Sequence, residues 1–264
     1  MNGDKMNIFT LEVCVDSVES AINAERGGAD RLELCGNLVI GGTTPPLSLY
    51  KEVKKYVKIP IRVMIRPRFG DFLYTKYEKE MMLEDMETFK KLGVDGAVFG
   101  ALTENGEIDM EISRELVEKA DRIPVTFHRA FDLCKDPVKA YNQLQELRID
   151  TLLTSGQKNS CFEGKELIKK LIFLSQNSKQ KKPEILIGGG LNIDNVEEII
   201  EYTVVRSFHI SAKKIVDSRM IYRKKGISMG INEFNEYKKI ETEEKIVREM
   251  KERIRSYFIK LCDK

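Results

Sequence analysis

Leu11-Glu12-Val13-Cys14 and Leu32-Glu33-Leu34-Cys35 read almost alike: each is a short apolar run with a carboxylate inside it and a thiol at its end. Side chains alternate along a strand. Glu12 and Cys14 therefore share one face of the first run, and Glu33 and Cys35 share one face of the second. As parallel neighbours, roughly 4.8 Å apart, the two runs would bring two thiols and two carboxylates to one place. Read alone, such cysteines are also ordinary core residues, because a free thiol is among the most often buried groups and packs as a small hydrophobe.

Working outward, short apolar runs alternate with longer amphipathic ones along the whole chain, the pattern of βα units around a parallel sheet. Eight strands are predicted, near residues 9–15, 31–34, 61–65, 96–99, 125–128, 151–154, 185–188 and 207–211. Asp30, Asp95 and Asp150 precede the second, fourth and sixth. Pro60, Pro124 and Pro183 open the third, fifth and seventh, a place where the missing N–H costs no ladder bond. This alternation suggests a repeat of two βα units. Eight such units with no linker between them predict an α/β fold, a single (β/α)8 barrel over residues 1–264. A doubly wound sheet holding a dinucleotide would carry a glycine-rich turn after its first strand, and Val15-Asp16-Ser17 stands there instead. Residues 240–262 place Val247, Met250, Ile254, Tyr257 and Leu261 at helical spacing, which predicts an amphipathic helix packed on the barrel or on another subunit.

Charge is heavy but balanced at net +2, which points to neither nucleic acid nor a membrane surface as partner. Lys179-Gln180-Lys181-Lys182 reads as a solvated loop. The five cysteines are odd in number and scattered, as in a reducing compartment. The first apolar run, Ile8 to Val15, is too short and too interrupted by Glu12 for a membrane span. The expected location is the cytoplasm, with the nucleus as an additional compartment.

In a barrel, chemistry sits at the C-terminal strand ends. Cys14, Cys35, Arg66, Arg68, His128, Arg129, Thr154, Ser155, His209 and Ser211 all fall there. Gly188, Gly189 and Gly190 follow the seventh strand and Ser211 ends the eighth, the two loops with which barrels often hold phosphate. Together with Arg66 and Arg68 they form a candidate anion site. The arginines could equally pair with Glu12, Glu33 or Asp71. His128, with Glu12 or Glu33, is a candidate acid/base set.

These stretches resemble the CutC family, described as copper homeostasis or copper-binding proteins with a (β/α)8 barrel. The matching segments are Leu11 to Ser17, Gly27 to Cys35, Gly41-Gly42-Thr43-Thr44-Pro45, Val63 to Arg68 with Gly70-Asp71-Phe72, Phe99 to Leu102, Phe127 to Asp132, Leu153 to Gly156 and Gly188-Gly189-Gly190. The chain departs from the family pattern at Pro46 and at Leu186-Ile187, ahead of the triple glycine. The resemblance implies Cu(I) held by Cys14 and Cys35, in keeping with the preference of soft thiolates for that ion. It also implies a homo-oligomer, a dimer or tetramer. Two functions stand side by side: a cytosolic Cu(I)-binding protein that buffers or delivers copper, and a barrel enzyme acting on a small anionic or phosphorylated metabolite.

Overall fold

The computed structural model describes residues 9–179, 182–227, 229 and 235–262. Gln180 and Lys181 of the lysine-rich loop, like Ile8, lie outside them. Eight parallel strands close in sequence order: β1 (Thr10–Val15), β2 (Arg31–Leu34), β3 (Ile61–Met64), β4 (Gly96–Phe99), β5 (Val125–Phe127), β6 (Thr151–Thr154), β7 (Glu184–Ile187) and β8 (Ser207–Ile210), with β8 pairing back onto β1. An antiparallel pair that the hydropathy pattern does not reveal follows them, β9 (Lys213–Asp217) and β10 (Lys238–Thr242). Its lysine-rich strands are mostly exposed and lack the apolar alternation that marks a half-buried strand.

Helices α1 (Val18–Arg26), α2 (Leu47–Tyr56), α3 (Lys76–Lys91), α4 (Met110–Ala120), α5 (Pro137–Glu146), α6 (Lys165–Asn177) and α7 (Val196–Thr203) connect consecutive barrel strands. Local chemistry starts several of them. Ser17 and Asp109 accept from amides of the first turns of α1 and α4, Thr75 and Glu78 form a reciprocal capping box on α3, and Pro137 opens α5 behind the cap of Asp136.

The main core lies between strands and helices. Leu11, Val13, Leu32, Leu34, Val63, Phe99, Phe127 and Phe208 point outward into it and are fully buried. The alternate residues point into the barrel. A second, smaller apolar cluster of Cys35, Met64 and Val98 fills part of that interior.

At the strand starts the aspartates do a specific job. Asp30 accepts from the Leu11 amide at 2.7 Å, Asp95 from Ile61 at 2.9 Å and Asp150 from Val125 at 2.9 Å. Each carboxylate thus clips an even-numbered strand to its predecessor. Each also pairs with a lysine: Lys251, Lys54 and Lys182 respectively.

Helix α8 (Glu244–Cys262) begins four residues later than the sequence reading placed it, because Lys238–Thr242 is strand. It lies against α1 and α7. Val247, Met250, Ile254 and Phe258 are buried, whereas Leu261 is exposed. Phe258, stacked on Phe9 with ring centroids 5.9 Å apart, takes the place in the stripe that the spacing assigned to Tyr257. No helix among the described residues is long and apolar enough to cross a membrane.

Candidate functional site

Register decides what meets inside the barrel. Glu12 stands opposite Arg31 on one side and His209 on the other, and Cys14 stands opposite Glu33. Arg31 Nε donates to Glu12 Oε2 at 2.5 Å, and Glu12 Oε1 lies 2.8 Å from His209 Nδ1. The Glu12 carboxylate is fully buried. Burial works to raise its pKa, but the Arg31 guanidinium, helped by His209, holds it well below the usual carboxylate range. Nearby, Arg62 Nη1 donates to Thr151 Oγ1 at 3.0 Å and to Thr126.

One step toward the C-terminal strand ends, a Cys14 sulfur, a Glu33 oxygen and a His209 ring nitrogen all lie within 4.8 Å of one another. With Nδ1 turned to Glu12, the other nitrogen of His209 faces Glu33 Oε2 at 3.8 Å. Burial opposes charge on His209, but Cys14, Glu33 and Glu12 together outweigh it and raise its pKa well above the ordinary histidine value. Burial pushes the Glu33 carboxyl up, against the pull of His209, and its Oε1 has no hydrogen-bond partner among the described residues.

Cys35 is fully buried, packed with Met64 and Val98, and its thiol donates to Glu33 Oε2 at 3.5 Å. Burial, reinforced by Glu33, pushes this thiol well above the usual cysteine range. Cys134 and Cys161 are likewise pushed up to about 12 by burial.

Above these groups opens a cavity of about 380 Å³, lined by Cys14, Glu33, Arg66, His128, Arg129, Gly189, Gly190, His209, Ser211 and Lys213 among others. Most residues predicted from sequence converge on it. Glu12 lies beneath it and Gly188 packs behind His209 and Leu153. Arg68 is turned away, bonded to Glu78 at 2.5 Å and Asp71 at 2.9 Å, which matches the rim pairing considered for it with Asp71. Arg66 reaches the wall, yet its guanidinium donates to the carbonyls of Gly42 and Gly70, both at 2.9 Å, and lies over the Phe72 ring at 4.9 Å. It works as a staple between loops.

His128 departs most from the role of acid or base. Its Nδ1 accepts from the Ala130 amide at 3.2 Å, so the neutral ring carries its proton on Nε2. Burial, with Arg66 nearby, lowers its pKa to about 3. A ring held neutral at physiological pH acts as a fixed donor. The sequence assigns no role to Asp132 and singles out Arg129 only beside His128, while Lys213 lies in the loop after the eighth strand, one of the two expected to hold phosphate. Arg129 adjoined His128 at a strand end, and that adjacency was the available signal.

Three comparisons bear on this geometry. The CutC family profile matches residues 9–214. The copper homeostasis protein cutC homolog of Homo sapiens is 49% identical over 226 residues, covering 85% of this chain and 81% of its own. The CutC family protein of Histophilus somni (strain 2336) is 46% identical over 228 residues, 86% of this chain and 92% of its own. The solved structure described as copper homeostasis protein CutC from Streptococcus agalactiae superposes with a TM-score of 0.71 at 34% identity, covering 76% of this chain and 97% of that one.

Proposed function

The chain belongs to the CutC family, and from that premise we propose that it binds Cu(I) inside the barrel mouth and buffers or delivers it in the cytoplasm. The observation that carries this reading is the convergence of Cys14, Glu33 and His209 within 4.8 Å. Copper is the cargo. Cys14 is its first thiolate and the cavity-facing nitrogen of His209 its imidazole ligand. Cys35, held 3.5 Å from Glu33, is the second sulfur and joins when the metal displaces its proton. Soft sulfur donors favour Cu(I), and imidazole is an acceptable partner. Glu12 fixes the ring of His209 from behind, as carboxylates orient metal-binding histidines. Exposed Ile215 and Ile240, on the β9–β10 pair, support the further reading that the protein works as a homo-oligomer.

The test is an anaerobic Cu(I) competition titration against a chromophoric chelator, with native protein, Cys14→Ser and Cys35→Ser. The expected result is one copper per chain withdrawn by native protein, with retention lost in Cys14→Ser and at least tenfold weaker in Cys35→Ser, about 1.4 kcal/mol. If all three proteins compete equally, copper does not sit on these cysteines.

A further inference from the structure

The cavity is far larger than one metal ion needs. At about 380 Å³, and with a water occupying roughly 30 Å³ of liquid, it has room for a molecule on the order of ten heavy atoms. Glu33 Oε1 and Arg66 Nε on its lining have no partner among the described residues, and two further parts of the wall hold hydrogen-bonding capacity suited to a ligand.

The first is at the β6 and β7 ends. Gly189 and Gly190 have φ of +86° and +71°, the left-handed region that glycine adopts without strain. Their carbonyls are fixed, Gly189 by the Cys161 amide at 2.8 Å and Gly190 by Asn195 Nδ2 at 2.9 Å. Their own amides have no protein acceptor among the described residues. The Arg129 guanidinium lies against Gly189, so close that a Cβ there would stand 3.2 Å from its Cζ and Nη1. Asp132 and Ser155 aim it: Nε donates to Asp132 Oδ2 at 2.7 Å and Nη2 to Ser155 Oγ at 2.8 Å. Asp132 is itself held by Ser155 N at 3.0 Å and Thr154 Oγ1 at 2.5 Å. Nη1 has no protein acceptor among the described residues. Lys213 adds a second cation at the same rim and forms no ion pair among the described residues.

The second is His128. Its Nε2 is buried and has no partner among the described residues, while Nδ1 is occupied by Ala130 N–H and Phe72 packs against the ring at 4.8 Å. A buried donor left without an acceptor loses its hydration and gains nothing in return. An acceptor oxygen on a ligand body makes good that loss.

We propose that this cavity binds a small organic phosphate ester, its phosphate held by the Gly189 and Gly190 amides with Arg129 and Lys213, and an oxygen of its body accepting from His128 Nε2–H. Backbone amides and two cations from separate loops suit a dianion with three equivalent oxygens. The one uncommitted donor at His128 supplies recognition beyond the phosphate. This goes beyond copper binding and does not depend on it, since none of these groups is a proposed copper ligand.

The test uses the full chain, metal-free, with inorganic phosphate, glycerol 3-phosphate and glycerol as probes, followed by isothermal titration calorimetry and ³¹P line broadening. Both phosphates are expected to bind and glycerol alone not to. Arg129→Gln and Lys213→Gln should each weaken both phosphates about tenfold or more, the loss of one charge-assisted hydrogen bond. Lys213 is exposed, so its variant keeps the test valid if Arg129→Gln disturbs the fold. His128→Phe should weaken glycerol 3-phosphate about tenfold and leave inorganic phosphate unchanged. If neither phosphate binds at millimolar concentration, or if both bind equally to native, Arg129→Gln and Lys213→Gln proteins, the phosphate cradle is wrong. If His128→Phe weakens the two phosphates alike, or neither of them, the assignment of Nε2 to the ligand body is wrong.

Discussion

Cys14 faces Glu33 across the β1–β2 ladder, and Cys35 stands one inward position further along its strand. A lateral step of about 4.8 Å and an axial step of about 6.7 Å put the two cysteine Cα atoms roughly 8 Å apart. That exceeds the span of a relaxed disulfide. Both thiols are free in the structure. On exposure to air, alkylation and peptide mass spectrometry should therefore find Cys14 and Cys35 still separately modifiable after unfolding. Recovery of a crosslinked Cys14–Cys35 peptide would sink this prediction.

Glu12 neutralises Arg31 where neither group is in free contact with solvent, the side chains being 0% and 13% exposed. Glu12→Gln keeps the shape and removes the charge, leaving the guanidinium without its counter-ion. The expected loss of stability is about 3 kcal/mol, read as a lower urea midpoint at unchanged slope. An unaltered midpoint would show that Arg31 finds compensation elsewhere.

His128 gives stability a pH dependence of known sign. Its folded pKa is depressed to about 3 from the ordinary 6.5, so between those values the unfolded chain takes a proton that the folded one refuses. Stability must fall as pH drops through that window. His209, with a raised folded pKa, acts the other way: its contribution is present below the ordinary histidine value and is lost as pH rises. Comparing native protein with His128→Phe isolates the first effect. From pH 7.5 to 5.0 native protein should lose about 2 kcal/mol more than the variant, measured by urea denaturation at both pH values. Parallel losses would falsify the neutral, buried state of His128.

Gly27, the C-cap of α1, packs directly against the first turn of α8. A Cβ on it would stand 2.5 Å from Val247 Cβ and 2.8 Å from the Glu244 carbonyl. Gly27→Ala should lever the helices apart and cost about 1–3 kcal/mol, seen as a lower thermal midpoint. A midpoint equal to that of native protein would mean that α8 contributes little to holding the barrel.

The strands were legible because each is a short apolar run, and all but β8 are bounded by Asp, Pro or Gly, a purely local signal. Register was not legible. Whether Cys14 meets Cys35 or Glu33 depends on the stagger imposed by closing the barrel, which no single strand encodes. Barrel closure likewise brings His209 of β8 beside Glu12 and Cys14 of β1, and sequence distance hid that meeting. Arg68 looked like an anion ligand until α3 placed Glu78 beside it. Gly189 and Gly190 were visible, but the arginine lying against them comes from the β5 loop, aimed by Asp132. Such second-hand positioning appears only when three loops are folded together.

The aspartate clips give the barrel unequal seams. Each spans 19, 34 or 25 residues of chain and lies within a pair, β1 with β2, β3 with β4, β5 with β6. Joints of that kind close over short stretches, at small entropic cost. Between pairs no aspartate clip is found among the described residues, and β8 is tied to β1 by the Glu12–His209 contact instead. The barrel is therefore assembled like staves joined two by two before hooping. Its motion should be largest along the seams between pairs that carry no aspartate clip.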